Sequence, residues 1–386
     1  MPAVSAWASG GKRYIVGFKQ GVDDARQKDI LDSFGLADLE TLDIFNAKIV
    51  EAPADRYSPS AFRMMSNPDI YYVEEDFYTN WLVNTGASFQ ARPLPSFGAI
   101  MADLPKLKER TSGSGEQPWG IVRVNAEKGW AQANEGSGVR VAVIDTGVDF
   151  NHPDLQANYK GGYNAVDADK PPLDDHGHGT HVAGTIAAVK DGKGVVGVAP
   201  QAHIYAVKVL DKDGGGSLTS IVKGLVWAAN NNIQVANMSL GAPMGSIFMR
   251  LAVKYATSKG VAIIAAAGNS GGAVGYPAAY EDTIAIAASD SSDRVASFSS
   301  RGEQVDFIAP GVDVNSTVVG GKYARYSGTS MATPHAAGLA ALAVKQGANG
   351  KDAVKAYFLR AAKKLPGVSE NEQGEGMIDA ALLRRK

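Results

Sequence analysis

The chain has 386 residues and contains no cysteine. This absence excludes disulfide scaffolds, thiolate zinc sites, iron–sulfur clusters and cysteine nucleophiles. It does not indicate a compartment, because bacterial secreted enzymes can fold without disulfides.

Strong net charge and long apolar runs are also missing. The net charge of −2 provides no basic field for nucleic acid. No apolar run approaches the roughly 18 residues of a membrane span. Met1–Gly11 lacks the apolar centre of a signal peptide, so we expect that a signal was removed or that the protein is not exported.

The first 82 residues predict a small separate unit. Their apolar spacing and turn residues favour the order strand, helix, strand, strand, helix, strand, which is the split βαβ plan of an α+β ferredoxin-like domain. The predicted elements are a strand at Arg13–Phe18, a helix at Val22–Phe34 ended by Gly35, two short strands within Asp43–Glu51, a helix at Ser58–Met65 and a strand at Ile70–Val73.

Residues 83–117 lack this periodicity and are rich in Pro, Gly and Ser. Thr111–Gly115 (TSGSG) has the composition of a flexible linker, and Met101–Arg110 is a candidate for a short helix. We therefore assign residues 83–117 to a linker or an N-terminal extension of the next domain.

Residues 118–386 alternate apolar strands with helices. This alternation predicts a three-layer α/β/α domain with a mostly parallel central sheet, whose active site lies at the carboxyl ends of the strands. The predicted strands include Val139–Ile144, Ile204–Leu210, Gln234–Met238 and Val261–Ala266, and the predicted helices include Thr219–Ala229 and Ile247–Ser258.

Asp145 and a group of histidines follow predicted strands. Asp145 is either a helix cap or a buried carboxylate that orients a histidine. His176, His178 and His181 precede or begin a small-residue helix. One of them could be a general base, the three could hold a metal ion, or they could be structural.

Ser330 and Asn269 are the other polar candidates. Ser330 lies where a loop turns into an apolar helix, so it is either an N-cap or a nucleophile near backbone N–H groups. Asn269 follows a buried strand in a glycine-bounded turn, where it is either a turn residue or a donor to an oxyanion.

The order Asp, His, Ser is one of the known orders of a serine triad. Five motifs with compatible spacing accompany it, and with them the sequence resembles the subtilisin family, in particular the Bacillus-type enzymes with a propeptide. The resemblance covers nearly the whole chain apart from residues 83–117. The motifs are VIDTGVD, HGHGTHVAG, NMSLGAP, AAAGNSG and GTSMATPHAAG.

The resemblance implies a secreted-type serine endopeptidase made as an autoprocessed precursor. Asp145 would orient His178, His178 would take the proton of Ser330, and Ser330 would attack the scissile carbonyl. Asn269 and the Ser330 N–H would bind the oxyanion. The alternatives are a catalytically silent binding protein of the same family and a processing protease of narrow specificity.

The resemblance also implies a substrate cleft with an edge strand and two apolar pockets. A large apolar or aromatic residue before the cut would fit it. The edge strand would be Gly214, Gly215 and Gly216. The first pocket would have Ser239, Leu240 and Gly241 on one wall, Ala266 to Gly268 on the other and Gly275 at its base. The second pocket would be lined by Leu210, Leu218 and Ile221.

Calcium is the cofactor that the resemblance implies. The first site would use the carboxylates of Asp154 and Asp191, the carbonyls of Val189, Lys193 and Val195, and the side chain of Gln117. A weaker site would use the carbonyls of Ala278 and Tyr280 with Asp290.

Residues 1–82 would be the propeptide, which assists folding and then inhibits. Its last residues, Thr79–Leu82, would occupy the cleft. Self-cleavage would fall between Leu82 and Val83, near Ser112–Gly115, or in both places. The expected partners are protein or peptide substrates and the chain's own propeptide. We expect a secreted monomer without affinity for nucleic acid or membranes.

Overall fold

The computed structural model describes residues 12–52, 63–82 and 116–383. Residues 12–82 form a small unit with an antiparallel sheet in the order β2-β3-β1-β4. This is the strand order of the predicted split βαβ plan. Its elements are β1 (Lys12–Phe18), α1 (Asp24–Ser33), β2 (Ala37–Leu42), a 3₁₀ turn (Asp43–Phe45), β3 (Ala47–Ala52), β4 (Ile70–Glu75) and the short β5 (Tyr78–Asn80).

The first helix and the first and last predicted strands of this unit are confirmed, but the prediction of two strands within Asp43–Glu51 is wrong. Asp43–Phe45 is a 3₁₀ turn, and the missing strand is β2. Because β2 is an edge strand with mostly exposed side chains, it carries no apolar pattern. The predicted helices Ser58–Met65 and Met101–Arg110 lie largely or wholly outside the described residues.

The described part of the larger unit begins at Glu116, and its elements alternate strands with helices. The strands are β6 (Arg140–Asp145), β7 (Tyr159–Asn164), β8 (His203–Lys208), β9 (Gly215–Ser217), β10 (Val235–Met238), β11 (Ala262–Ala266), β12 (Ile284–Ser289), β13 (Phe307–Pro310), β14 (Val314–Val318), β15 (Lys322–Tyr326), β16 (Ala362–Lys363) and β17 (Met377–Ile378). The helices are α2 (Trp119–Arg123), α3 (Ala126–Ala133), α4 (Pro153–Gln156), α5 (His178–Ala187), α6 (Leu218–Asn230), α7 (Ile247–Ser258), α8 (Thr329–Lys345), α9 (Gly350–Ala361) and α10 (Glu370–Gln373), with 3₁₀ turns at Asn134–Gly136 and Ala380–Leu382.

A nine-stranded sheet in the order β16-β17-β13-β12-β11-β10-β6-β8-β7 organises this unit. Every neighbouring pair is parallel except β16 with β17. The central strands are fully buried, as expected for a parallel sheet covered by helices on both faces. The predicted three-layer α/β/α fold is confirmed, and each named strand and helix of the prediction coincides with an observed one.

Helix α8 crosses the core, and residues 329–344 are all buried. Its small residues permit this close approach. A Cβ on Gly338 would lie 2.5 Å from the Val198 Cβ, so only glycine fits at this contact. The tight packing fixes the position of the start of α8, which follows Gly328.

Two carboxylates of the small unit hold it against helices of the larger unit. Glu74 Oε2 accepts hydrogen bonds from the Ser246 Oγ (2.9 Å) and the Phe248 N–H (3.0 Å) at the start of α7. Asp76 Oδ1 accepts from the Thr219 N–H (2.9 Å) at the start of α6, and Arg13 pairs with its other oxygen. Helix N-termini favour such negative charge.

In the described parts of the chain, no helix is both long and apolar enough to cross a membrane.

Candidate active site

Asp145 and His178 meet in the interior at the carboxyl end of β6. Asp145 ends that strand and is fully buried, and His178 begins α5 with 2% of its surface exposed. The Asp145 Oδ1 and the His178 Nδ1 are 2.7 Å apart. Because a carboxylate oxygen only accepts, this contact fixes the proton on Nδ1 and leaves Nε2 as the acceptor nitrogen.

Ser330 is the second residue of α8, and it is bound to the end of a neighbouring strand. Its Oγ donates to the Ser239 carbonyl (3.0 Å), and the Ser239 Oγ donates to the Ser330 carbonyl (2.8 Å). Ser239 follows β10, which pairs directly with β6. The structure therefore brings Ser330 to the sheet edge that carries Asp145.

Asn269 lies at the end of the next strand, β11, and its side chain has a fixed orientation. The Oδ1 accepts from the Thr329 N–H (2.7 Å) and from the Thr329 Oγ1 (2.9 Å). The buried Nδ2 has no hydrogen-bond partner among the described residues. This Nδ2 and the Ser330 N both lie within 3.6 Å of the position that a Cβ on Gly328 would occupy.

Thr329 is a functional candidate that the sequence analysis missed. It orients Asn269 through two hydrogen bonds and its Oγ1 accepts from the Gly268 N–H (3.1 Å). Its place directly before Ser330 is the signal that could have indicated it.

The predicted walls of the first pocket come together in the structure. Gly275 lies between the segments that follow β10 and β11, since its N–H donates to the Ala267 carbonyl (2.9 Å) and a Cβ on it would meet the Ala242 carbonyl at 3.0 Å. The apolar and small residues predicted to line the two pockets are buried after β8, after β10, at the end of β11 and at the start of α6. They are Ser239, Leu240, Ala266, Leu210, Leu218 and Ile221.

The predicted edge strand is paired with the end of the small unit. β5 and β9 are antiparallel, with Thr79 opposite Gly216 and Asn80 opposite Gly215. The Trp81 N–H then donates to the Gly214 carbonyl (3.1 Å), and the Gly241 N–H donates to the Trp81 carbonyl (3.2 Å). The segment thus runs between Gly214–Ser217 and Gly241.

Trp81 is the deepest residue of this segment, a role that the sequence analysis did not assign. Its indole is fully buried, donates from Nε1 to the Gly216 carbonyl (2.8 Å) and stacks on Phe77 with ring centroids 5.7 Å apart. Leu82 is buried against Gly214. A Cβ on Gly214 would lie 2.9 Å from the Leu82 Cδ1. Val83 lies outside the described residues.

The three clustered histidines do not share one site. The His181 Nε2 donates to the carbonyls of Val314 (3.0 Å) and Ala324 (3.2 Å), and its ring stacks on Tyr326 at 4.4 Å. Within the described ranges, no group of three or more His, Asp or Glu side chains is placed to hold a metal ion. His181 is therefore a packed structural residue.

Asp154 and the loop that contains Asp191 form the first candidate cation site. The Asp154 carboxylate is 3% exposed, accepts from the Val195 N–H (3.0 Å) and the Tyr323 hydroxyl (3.0 Å), and has no ion pair with a described residue. Burial and the charges of Asp154 and Asp191 raise the pKa of Tyr323 to about 12. The carbonyls of Val189, Lys193 and Val195 accept no hydrogen bond from any described residue. A buried anion beside carbonyls that lack donors fits a calcium ion.

Gln117 is not part of this group, contrary to the prediction. Its amide donates to the Glu127 carboxylate (3.2 Å). The preceding residue, Glu116, reaches the loop instead, and its Oε1 accepts from the N–H groups of Asp191 (2.9 Å) and Gly192 (3.1 Å). The side chains of successive residues in an extended segment point in opposite directions, so a shift of one residue changes the partner.

The structure does not support the weaker predicted cation site. The carbonyls of Ala278 and Tyr280 both accept from the Thr283 hydroxyl, at 3.1 and 2.9 Å. The Asp290 carboxylate pairs with Arg294 at 2.7 Å. Since a cation already neutralises Asp290, we propose no metal site there.

Comparisons with known proteins agree with this geometry. The model of the subtilase family matches residues 136–376. Subtilisin E of Bacillus subtilis (strain 168) is 42% identical over 340 residues, which are 86% of this chain and 80% of that protein. Subtilisin Savinase of Lederbergia lenta is 47% identical over 270 residues, which are 69% of this chain and 98% of that protein. M-protease of Shouchella clausii (strain KSM-K16) is 52% identical over 239 residues, which are 62% of each.

An α/β/α fold with its polar residues at the carboxyl edge of a parallel sheet, together with these matches, shows that the chain belongs to the subtilase family. Within this family it is a subtilisin-like serine endopeptidase, which acts on proteins or peptides.

His181 predicts how stability responds to acid. Burial, with a smaller effect of His178, lowers its pKa to about 3. In the unfolded chain the imidazole binds a proton below about pH 6.5. The contribution of His181 is therefore complete above pH 6.5 and is lost as the pH falls toward 3, by roughly 1.4 kcal/mol per pH unit. With activity inhibited, urea unfolding from pH 6.5 to 4 should give a shallower pH dependence for His181→Gln than for the parent.

His203→Gln is the matched control, because His203 is partly exposed at the start of β8. It should reduce the pH dependence less than His181→Gln. Equal slopes for the parent chain and His181→Gln would contradict the interpretation of His181 as a buried neutral imidazole.

Proposed function

We propose that Asp145, His178 and Ser330 are the catalytic triad of this endopeptidase. The observation that carries the proposal is the buried 2.7 Å contact between the Asp145 Oδ1 and the His178 Nδ1. It is supported by Ser330, which lies in the first turn of α8 with its hydroxyl bonded to the carbonyl of Ser239, the residue that follows the adjacent strand β10.

Each of the three residues has a part in the proposed acyl transfer. Asp145 holds the Nδ1 proton of His178, so that Nε2 takes the proton from the Ser330 Oγ as this oxygen attacks the substrate carbonyl. The hydroxyl must leave the Ser239 carbonyl for this step. His178 then gives the proton to the leaving amine, and a water molecule activated in the same way releases the acyl group.

Asn269 and the Ser330 N–H are the proposed oxyanion donors. Thr329 holds the Oδ1 of Asn269 at two points, so the Nδ2 is oriented before the substrate arrives. A donor positioned in advance costs no reorganisation when negative charge develops.

The specificity that we propose is broad, with a preference for large apolar or aromatic residues before the cut. The pocket between Ser239–Gly241 and Ala266–Gly268 has only glycine at its base. Main-chain pairing along Gly214–Gly216 would hold extended peptides of varied sequence.

Ser330→Ala should abolish peptidase activity and leave the precursor at full length, because self-processing needs the same nucleophile. The measurement is intact mass with N-terminal sequencing for both proteins. In the parent, a phosphonofluoridate reagent should add one equivalent at Ser330. An active Ser330→Ala chain, or a folded mature sample unlabelled at Ser330, would contradict the triad.

We further propose that residues 1–82 are an inhibitory propeptide, that the protein is secreted, and that it cuts itself between Leu82 and Val83. Residues 83–117 would be a linker, although Glu116 and Gln117 already bond to the larger unit. The support is the antiparallel pairing of Tyr78–Asn80 with Gly215–Ser217, which occupies the strand edge that a substrate needs.

Trp81→Ala should weaken this inhibition by at least about 30-fold, the effect of losing an interface anchor of about 2 kcal/mol. The substitution removes a buried ring and its hydrogen bond to Gly216. The measurement is the activity of freshly matured enzyme that still holds its cleaved small unit. Tyr71→Ala is the control, since this aromatic residue of the same unit is 68% exposed. Equal inhibition in the two variants would argue against Trp81 as the anchor.

Calcium is the cofactor that we propose for the loop at residues 189–195. Asp154 and Asp191 would supply carboxylates, and Val189, Lys193 and Val195 would supply carbonyls, while Glu116 holds the loop amides. A bound ion would neutralise Asp154 and stabilise the folded state.

Removal of calcium by a chelator should lower the melting temperature of the inhibited enzyme by roughly 5–10 °C, as expected for the loss of about 2.7 kcal/mol of ligand binding. Asp154→Asn should abolish this response. Asp290→Asn is the control and should keep it, because Asp290 pairs with Arg294. A melting temperature that does not respond to chelator in the parent would rule out a stabilising site.

A further inference from the structure

Asp174 is a buried carboxylate close to the proposed triad that none of the assigned functions uses. It is 3% exposed and has no ion pair with a described residue. Its Oδ1 accepts from the Thr146 hydroxyl (2.8 Å) and from the N–H groups of His176 and Gly177 (both 2.9 Å). Its Oδ2 accepts from the Thr180 N–H (2.9 Å) and the Thr180 hydroxyl (2.5 Å).

These bonds connect the two segments that carry Asp145 and His178. Thr146 directly follows Asp145, and its N–H donates to the Asp145 Oδ1 (2.7 Å). The Thr146 hydroxyl also accepts from the Gly179 N–H (2.9 Å), inside the first turn of α5. A closed ring of hydrogen bonds therefore passes through Asp145, Thr146, Asp174 and the start of α5, and returns through the His178 imidazole.

We propose that Asp174 is a positioning residue for this endopeptidase, which acts through Thr146 and the first turn of α5 to hold the Asp145–His178 contact at its catalytic distance. Asp174 does not touch substrate. The proposal rests on the triad proposed above, because it concerns the alignment of two of its members.

The physical reason is that one rigid carboxylate fixes both ends of the contact. The 2.7 Å separation depends on where β6 ends and where α5 begins, and these are set by different parts of the chain. Each Asp174 oxygen serves donors on α5 or the turn before it, and the Oδ1 also holds Thr146. A misplacement of reacting groups by about 1 Å can cost about 100-fold in rate.

The first test is Asp174→Asn. An amide keeps the shape of the side chain but presents an NH₂ group to donors on one of its two sides, so the donors on that side lose their acceptor. We expect kcat to fall about 10-fold to 100-fold with KM little changed, since alignment matters in the transition state and not in substrate binding. The downfield proton resonance of the His178 Nδ1–H should shift or broaden.

The second test uses a pair at Thr146. Thr146→Val removes the hydroxyl without changing the side-chain volume much, and it leaves in place the hydrogen bonds that the Asp174 carboxylate accepts from backbone N–H groups. Thr146→Ser keeps the hydroxyl. We expect Thr146→Val to lose activity as Asp174→Asn does, and Thr146→Ser to retain most of it. This comparison decides the question if Asp174→Asn does not fold.

Asp149→Asn is the matched control for a purely structural role. Asp149 is also buried and lies in the same segment, but its carboxylate accepts only from the N–H groups of Asn151 (3.2 Å) and Gly320 (2.9 Å) among the described residues. It should lower the melting temperature and leave kcat and the Nδ1–H resonance unchanged.

Rates are expressed per site labelled by the serine reagent, so that unfolded protein does not count. If the parent is active and labelled, but Asp174→Asn and Thr146→Val keep kcat and the resonance of the parent, the positioning role is wrong and the triad stands. Equal losses of kcat in Asp149→Asn would also overturn it. A parent without labelling at Ser330 would refute the proposed function itself.

Discussion

The hydrogen bond between the buried carboxylate of Asp145 and the imidazole of His178 is the constraint on which the rest of the site depends. It requires that the end of a central strand and the start of a helix meet away from water. A parallel sheet provides this meeting point, because its strand ends share one edge and helices begin beside them. The adjacent strands β10 and β11 then supply Ser239 and Asn269 at the same edge.

Carboxylates at the starts of helices and turns in this protein accept hydrogen bonds from backbone amides, which offset part of the cost of removing charge from water. Asp174 serves the start of α5, and Asp76 and Glu74 serve the starts of α6 and α7. Helix N-termini provide oriented N–H groups that are otherwise unsatisfied. The ammonium group of the buried Lys208 donates to the carbonyls of Thr146 (2.7 Å) and Leu210 (3.0 Å) and also pairs with the Asp175 carboxylate (2.7 Å).

The sequence predicts the central sheet well because fully buried parallel strands are continuous apolar runs, as at Val139–Ile144. It predicts Asp145, His178, Asn269 and Ser330 as candidates because each follows a strand or begins a helix. It does not predict β2, whose side chains face water, or Asp174, whose neighbours Asp175 and His176 are equally polar in the sequence. The prediction that Gln117 contacts the loop at residues 189–195 is wrong for a related reason, since the neighbouring residue, Glu116, reaches that loop instead. The hydrogen-bond partner of a side chain in an extended segment depends on the register of that segment, which the sequence alone does not determine.

The small unit contacts the larger unit through strand pairing and through carboxylates at the starts of helices, two kinds of contact that also occur within the larger unit. Its last strand completes the edge at Gly215–Ser217, and its carboxylates complete the starts of two helices. In the proposed mode of inhibition, the covalent connection of the intact chain would keep this strand at a high effective concentration beside Gly215–Ser217, so it would compete with any peptide. A cut after the strand would remove that advantage and leave only the contacts at the interface. The contacts of the fully buried Trp81 and of the two carboxylates would then set the dissociation rate of the small unit, and with it the rate at which the enzyme becomes active.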